Sequence, residues 1–100
     1  MEYIERNISS KLTYKKISQE FNISVKSLYK IFTEETGYSL GKYICVRRVV
    51  KAKSLLNSGM SAAEASLLAG FEDYSVFYRS FVKEVGISPS KYQKEMRSFV

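Results

Sequence analysis

The chain has 100 residues, 45% of them hydrophobic, which suits a single small domain or two very small subdomains that share an element. Sixteen Lys and Arg residues against ten Asp and Glu residues give a net charge of +6, which favours a polyanionic partner such as nucleic acid or an acidic membrane surface. The chain has one cysteine, no histidine and only scattered acids, which argues against a zinc site, a cofactor or an enzyme. It also lacks a long apolar run and a secretory signal, and we therefore predict a cytoplasmic protein that does not enter a membrane.

Apolar residues recur three and four positions apart, the period of an α-helix, and this spacing predicts seven helices. The first three cover residues 2–9, 14–21 and 25–36, where Thr13 and Ser24 are the expected N-caps of the second and third helices. The fourth helix, 40–57, is the longest and is expected to begin after the N-cap Ser39. Its only cysteine, Cys45, lies in the apolar pattern of residues 43–46 and is interpreted as a core or flanking residue.

Three further helices are predicted at residues 62–69, 74–85 and from 89 onwards. Ser61 and Glu64 have the spacing of a capping box at the start of the fifth helix. The sixth helix follows a turn at 70–73, and the seventh has Pro89 at its first helical position, the place that proline prefers. The chain is therefore predicted to be all-α.

The second half of the chain repeats the first. The segment 37–43 recurs at 86–92, an offset of 49 that also pairs Phe32 with Phe81, whereas Thr13 and Ser61 are 48 apart. One extra residue in the second turn explains this difference. A short helix, a tight turn and a longer helix form a helix-turn-helix unit. We predict one domain, 1–100, with units at about 8–38 and 61–97 and a linker helix at 40–57.

The apolar positions predict how each unit is packed. In the first unit, the expected contacts join Ile17, Phe21 and Ile23 to the third helix, whose apolar stripe comprises Val25, Leu28, Ile31 and Phe32. In the second unit, the expected contacts join Leu67, Leu68 and Phe71 to Phe77 and Phe81. Ser18 and Ser66 would place small side chains where the paired helices approach closely, and Tyr43 and Tyr92 are expected in the cores.

The exposed faces of the third and sixth helices carry matching chemistry. Opposite the third helix's apolar stripe lie Lys26, Tyr29, Lys30 and Thr33, and the sixth helix repeats this plan with Ser75, Tyr78, Arg79 and Lys83. Such side chains can donate to guanine O6 and N7 or touch thymine methyls and phosphates in a major groove. A solvated charged face is the common explanation for one such helix, but two in register favour DNA binding.

Two motifs in the second half are more specific than periodicity. The stretch 70–81 combines Gly-Phe, a polar turn and Phe-x-Arg-x-Phe, and the stretch 86–92 reads Gly-x-Ser-Pro-x-x-Tyr. The first half supplies corresponding residues at Leu28, Phe32, Gly37, Ser39 and Tyr43, and the linker helix supplies Arg48, Ala52, Leu55 and Leu56. From about residue 12 to 92, the chain resembles the DNA-binding domain of the AraC/XylS family of bacterial transcription regulators.

This resemblance implies two homeodomain-like units whose third and sixth helices enter adjacent major grooves on one face of the DNA. Carried over by position, base contacts fall on Lys26, Tyr29, Lys30, Tyr74, Ser75, Tyr78 and Arg79. Phosphate contacts are predicted at Ser24, Thr33, Arg47 and Lys83. The small residues Ala65 and Ala69 predict a thinner second core than the family's, and Gln93, where arginine is common, predicts a weaker phosphate grip.

The expected partner is double-stranded promoter or operator DNA, with RNA polymerase and an effector-binding domain ahead of this one as the further partners that the resemblance implies. A helical protein-interaction module, whose basic faces meet an acidic protein, is the alternative from another functional class. RNA binding is a third reading, but no platform for stacking single-stranded bases is evident in the sequence.

Overall fold

The computed structural model describes residues 2–97, and within that range the chain folds into seven α-helices without a β-strand. The helices are α1 (Glu2–Arg6), α2 (Tyr14–Glu20), α3 (Val25–Thr36), α4 (Leu40–Asn57), α5 (Ala62–Leu68), α6 (Tyr74–Val85) and α7 (Pro89–Arg97). The all-α prediction is confirmed. The predicted bounds agree within a residue or so except for α1, which ends at Arg6 because Asn7 and Ser10 hydrogen bond to nearby carbonyls and form a turn.

Side-chain caps define where the helices begin. The hydroxyl oxygens of Thr13, Ser24, Ser39 and Ser61 each accept a hydrogen bond from the backbone N–H three residues later, at 3.0 to 3.2 Å. All four are caps that the sequence predicts. Asp73 caps α6 in the same way, accepting from the N–H of Val76 at 2.8 Å. Each cap satisfies a backbone donor that has no partner inside its helix.

The two turns between paired helices have the same hydrogen-bond pattern. The N–H of Ile23 donates to the carbonyl of Ser18 at 3.0 Å, and the N–H of Phe71 donates to the carbonyl of Ser66 at 3.1 Å. Both serines are buried, as their predicted place at the close approach of two helices requires. After this shared geometry, the second turn contains Glu72 before its cap, which accounts for the change of offset from 48 to 49.

Two separate hydrophobic cores divide the molecule, and α4 contributes to both. The first core contains Ile4, Ile8, Ile17, Leu28, Phe32, Leu40 and Ile44. The second contains Val49, Ala52, Leu56, Ala65, Ala69, Phe71, Phe77, Phe81 and Tyr92. The first half of α4 therefore belongs to one helix-turn-helix unit and its second half belongs to the other. Cys45 is half-buried against the second core, and Tyr43 packs its ring on Phe32 at 5.1 Å.

The second core combines small residues with large aromatic rings. Ala65 and Ala69 are fully buried there, beside a continuous series of aromatic contacts from Phe71 through Phe77 and Phe81 to Tyr92. Ring centroids along this series are 5.3 to 5.6 Å apart, a range that favours edge-to-face and tilted aromatic pairs. The small alanines leave room that these large rings occupy.

Several apolar residues expected in the cores lie on the surface instead. Leu67 is 73% exposed and Leu68, Phe21, Ile23, Val25 and Ile31 are also exposed. Phe21 rests its ring edge on Tyr3, with 5.5 Å between centroids, rather than entering the core. Because each helix of these small units is covered on one side only, a narrow stripe such as Leu28 and Phe32 fills the contact, and the apolar neighbours of that stripe remain outside.

The domain is elongated, with principal extents of 46 × 24 × 22 Å. Its long dimension follows from placing two units along the 18-residue α4, which spans ~27 Å at about 1.5 Å per residue. None of the helices described between residues 2 and 97 has the length and apolar character that crossing a bilayer requires.

Candidate nucleic-acid interface

The outer face of α3 presents two lysines and a tyrosine to solvent. Lys26, Tyr29 and Lys30 are all exposed, and Tyr29 is supported from beneath by the ring of Tyr14 at 5.9 Å between centroids. The Tyr14 hydroxyl in turn accepts a hydrogen bond from the N–H of Leu40 at 2.9 Å, which ties this part of the unit to α4. Tyr14 therefore connects the exposed face of α3 to the start of α4.

The outer face of α6 presents the corresponding set. Tyr74, Ser75, Tyr78 and Arg79 are exposed. Tyr74 packs on the buried ring of Phe77 at 5.5 Å and contacts Tyr78 at 6.4 Å, so the two tyrosines form a preorganised aromatic edge. The Arg79 guanidinium makes one long hydrogen bond, 3.4 Å from Nε to the Ser75 carbonyl, and most of its donors point to solvent.

Charge on these faces is not neutralised within the molecule. In the described part of the chain, the two ion pairs join Lys42 to Glu84 and Arg47 to Glu5. Lys26, Lys30, Arg79 and Lys83 take part in neither. Four cations thus remain available on two faces, an arrangement suited to binding a polyanion.

The repeat identifies a face residue that the apolar pattern misassigned. Val25 and Tyr74 are 49 positions apart, both are first residues of their helices, and they are 46% and 44% exposed. With the residues one, four and five positions further on, each completes a continuous strip along one side of its helix. Reasoning from hydrophobicity missed that Val25 belongs to this exposed strip. The offset of 49 is the signal that could have found it.

The predicted phosphate contacts have mixed surroundings. Ser24 and Lys83 are exposed, although the Ser24 hydroxyl also caps α3. The Thr33 hydroxyl oxygen is buried without a hydrogen-bond partner, and its repeat equivalent, Val82, is likewise half-buried. The Arg47 Nε lies 2.5 Å from a Glu5 carboxylate oxygen. A phosphate role for Thr33 needs a change of rotamer, and one for Arg47 can use the guanidinium donors that Glu5 does not occupy.

Two other polar residues, one on α4 and one on α7, contact groups within the protein. The Lys53 ammonium lies over the Tyr92 ring, 5.8 Å from its centroid. Gln93 donates from Nε2 to the carbonyls of Leu56 at 2.9 Å and Met60 at 2.7 Å, and so closes the C-terminal end of α4. Gln93 has a structural role here, which the expectation of a weakened phosphate grip did not foresee.

Comparison with known proteins places this arrangement in a family. A family model described as a helix-turn-helix domain matches residues 17–95. An uncharacterised HTH-type transcriptional regulator, YdiP of Escherichia coli, is 35% identical over 96% of the chain, and the chain covers 32% of YdiP. The multiple antibiotic resistance protein MarA of Escherichia coli is 32% identical over 93% of the chain, which covers 74% of MarA. Thus the chain spans about a third of YdiP and about three quarters of MarA.

The fold also matches solved structures. The crystal structure of a probable AraC family transcriptional regulator from Rhodopseudomonas palustris has a TM-score of 0.84 and 28% sequence identity. The match covers 95% of this chain and 91% of that one. Two units on one linker helix are thus common to both molecules.

Proposed function

Since the chain belongs to the AraC-type helix-turn-helix family of transcription regulators, we propose that it recognises a specific site on double-stranded DNA with α3 and α6 in adjacent major grooves. In this proposal, Lys26, Tyr29 and Lys30 read one box and Tyr74, Ser75, Tyr78 and Arg79 read the other. Ser24 and Lys83 contact phosphates, Arg47 does so through the guanidinium donors that Glu5 does not occupy, and Thr33 does so after a change of rotamer. Val25 adds an apolar contact of the kind that thymine methyls accept.

The observation that carries the proposal is the repetition of one exposed strip on two helices. A solvated charged face on a single helix needs no ligand to explain it. Here the strips recur at an offset of 49, each is flanked by a buried stripe, and neither has its basic residues paired with acids in the described chain. The 46 Å length of the domain also exceeds the ~34 Å of one DNA turn, so both helices have room to reach the same side of a duplex.

Two further partners belong to the proposal. The chain covers only 32% of YdiP, which leaves room in a longer protein for a domain that binds an effector ahead of this one. RNA polymerase is the expected partner at a regulated promoter. The contacts proposed for DNA binding all lie on residues of this chain.

The test is selection of bound duplexes from a random pool, followed by titration of the best site at several salt concentrations. Release of counterions from neutralised phosphates predicts a steep linear fall of log affinity with log salt concentration. The selected site should contain two short, unlike boxes about ten base pairs apart. An affinity that does not change with salt, or an equal affinity for an acidic peptide, would instead favour the protein-interaction module.

Changing the spacing then tests the two-groove geometry. Inserting about five base pairs between the boxes turns one of them to the opposite face of the duplex, so affinity should fall towards that of a single unit. An insertion of a full turn restores the face but not the distance and should not rescue binding. Equal affinity on the native, half-turn and full-turn sites would rule out simultaneous reading by α3 and α6.

A further inference from the structure

The two helix-turn-helix units are joined by a second connection besides α4. Residues 7–12 connect α1 to α2 and are called the strap below. Ile8, within the strap, is buried in the first core, whereas the neighbouring Ser9 reaches the second unit. The Ser9 hydroxyl donates to the carbonyl of Leu68, the last residue of α5, across 59 positions of sequence. The strap thus belongs to the first unit and contacts the second unit through Ser9.

Arg48 holds the strap against α4. Its Nε donates to the carbonyl of Ile8 at 2.9 Å, and its Nη2 donates to the carbonyl of Ser10 at 2.7 Å. Lys51, one turn further along α4, donates to the Ser9 hydroxyl at 2.7 Å. Arg48 lies between Ile44, a member of the first core, and Val49, a member of the second. The clamp therefore stands at the boundary of the two units.

The Arg48 end of this clamp is partly shielded from water. Burial lowers the pKa of the Arg48 guanidinium from its ordinary value, which indicates partial removal from water. Charge-assisted hydrogen bonds are stronger where water competes less. The Lys42–Glu84 ion pair is solvent-accessible, and exposed pairs of this kind contribute little.

Gly70 shows how closely the strap is packed on the second unit. A Cβ atom added to Gly70 would collide with the carbonyl oxygen of Ile8 and would stand 2.8 Å from Arg48 Nε and 3.0 Å from Ser9 Cα. Gly70 is in the turn that leads towards α6. The strap therefore packs directly against the turn that leads to the second recognition helix.

We propose that Arg48, Ser9 and the strap set the relative orientation of α3 and α6, and so determine which spacing of DNA boxes the chain accepts. These are positioning residues, since they act through the two recognition helices and need not touch DNA. The helix α4 fixes the distance between the units, and the clamp limits the rolling of the second unit about it. The consequence for spacing rests on the proposed function, but the restraint on orientation exists in the free protein.

The first arm of the experiment measures orientation without DNA. Nitroxide labels on cysteines introduced at the exposed positions Gln19 and Glu95, in a Cys45→Ala background, report the distance between the units by pulsed electron resonance. We expect one narrow distance peak that is lost in Arg48→Met and Ser9→Ala. Ser9→Ala removes only an exposed hydroxyl, so it keeps the test valid if Arg48→Met fails to fold.

Each variant has a matched control elsewhere in α4 or the strap. Lys53→Met removes a cation of the same helix whose contact, the Tyr92 ring, lies within the second unit, and Ser10→Ala removes a hydroxyl that bonds only to Asn7. Both should keep the narrow peak. An unchanged peak in Arg48→Met and Ser9→Ala, or equal broadening in the two controls, would overturn the clamp.

The second arm repeats the spacer series on the same four variants. In the unsubstituted chain, a half-turn insertion should lower affinity strongly, and loss of the clamp should reduce that penalty by about tenfold, the equivalent of one charge-assisted hydrogen bond. The controls should retain the full penalty. Variants that keep the full penalty overturn the role of the clamp in spacing. An unsubstituted chain without any penalty refutes the two-groove proposal instead, and the first arm then still decides whether the clamp restrains orientation.

Discussion

Replacing Gly70 by alanine should destabilise the domain much more than the same change at Gly59. The two glycines have nearly equal φ angles, +102° and +98°, in a range that other L-residues seldom adopt. They differ in their surroundings. The added methyl group at Gly70 meets the strap and Arg48, whereas at Gly59 nothing lies within 4 Å. The pair therefore separates the energy of the backbone conformation from that of the contact.

The size of the difference follows from these two contributions. The left-handed conformation costs an alanine ~1–2 kcal/mol, partly offset by ~0.4–1 kcal/mol from a less flexible unfolded chain, so Gly59→Ala should lose about 1 kcal/mol. Gly70→Ala has the same cost and adds ~1–3 kcal/mol of overpacking, because its nearest obstacle is the backbone carbonyl oxygen of Ile8, which cannot move aside cheaply. For a domain of this size, that excess corresponds to a further fall in Tm of roughly 4–24 °C.

Thermal unfolding followed by circular dichroism measures both variants, and urea titration gives the free energies of unfolding. Agreement between the two methods would show that the difference does not arise from a change in heat capacity. Equal losses at Gly59 and Gly70 would refute the reasoning, since the strap would then have room to move away from an added methyl group.

Three other substitutions test separate parts of the molecule. Arg79→Ala should cost ~1–3 kcal/mol of binding free energy at one or two base positions, whereas Lys83→Ala should weaken binding to all sequences alike. Titration of single-base variants of the best site measures both effects. A uniform loss of affinity in Arg79→Ala would show that its base-reading role is wrong. Tyr14→Phe leaves the N–H of Leu40, at the start of α4, without its acceptor and should lower the free energy of unfolding by ~1–3 kcal/mol. An unchanged urea midpoint would mean that water replaces the hydroxyl. Gln93→Ala removes two hydrogen bonds at the end of α4 and should lower the free energy of unfolding by ~1–2 kcal/mol. The exposed control Gln19→Ala should change it by no more than ~0.5 kcal/mol in the same titration.

Helix positions were predictable because their signals are local. Caps such as Ser39 and Ser61 act on backbone groups three residues away, so sequence spacing is sufficient to recognise them. Burial was less predictable, as Ile31 and Leu67 show. Helical periodicity states which side of a helix is apolar, but not how much of that side another element covers. In a domain with two small cores, much of each apolar side stays uncovered.

In the candidate interface too, features that depend on local spacing are predictable, and those that depend on distant residues are not. Exposure of Lys26, Tyr78 and Arg79 follows from their place opposite a buried stripe. Val25 was assigned to the core because valine is apolar, although the repeat pairs it with Tyr74. The clamp at Arg48 joins residues about 40 positions apart in the sequence, and no local pattern indicates that this arginine bonds to two backbone carbonyls.

The two recognition strips are equivalent in position but not in chemistry, and this difference gives the proposed site a direction. The first strip has two lysines, whose ammonium groups are flexible point charges that suit phosphates and single acceptors. The second has Arg79, whose planar guanidinium can bind guanine O6 and N7 together, beside two tyrosines held by packing on each other and on Phe77. Under the two-groove proposal, the unit containing α6 supplies more of the base discrimination and the unit containing α3 more of the sequence-independent attraction. Because α4 joins these unlike units in one order, a single chain distinguishes the two orientations of its DNA site without a second copy.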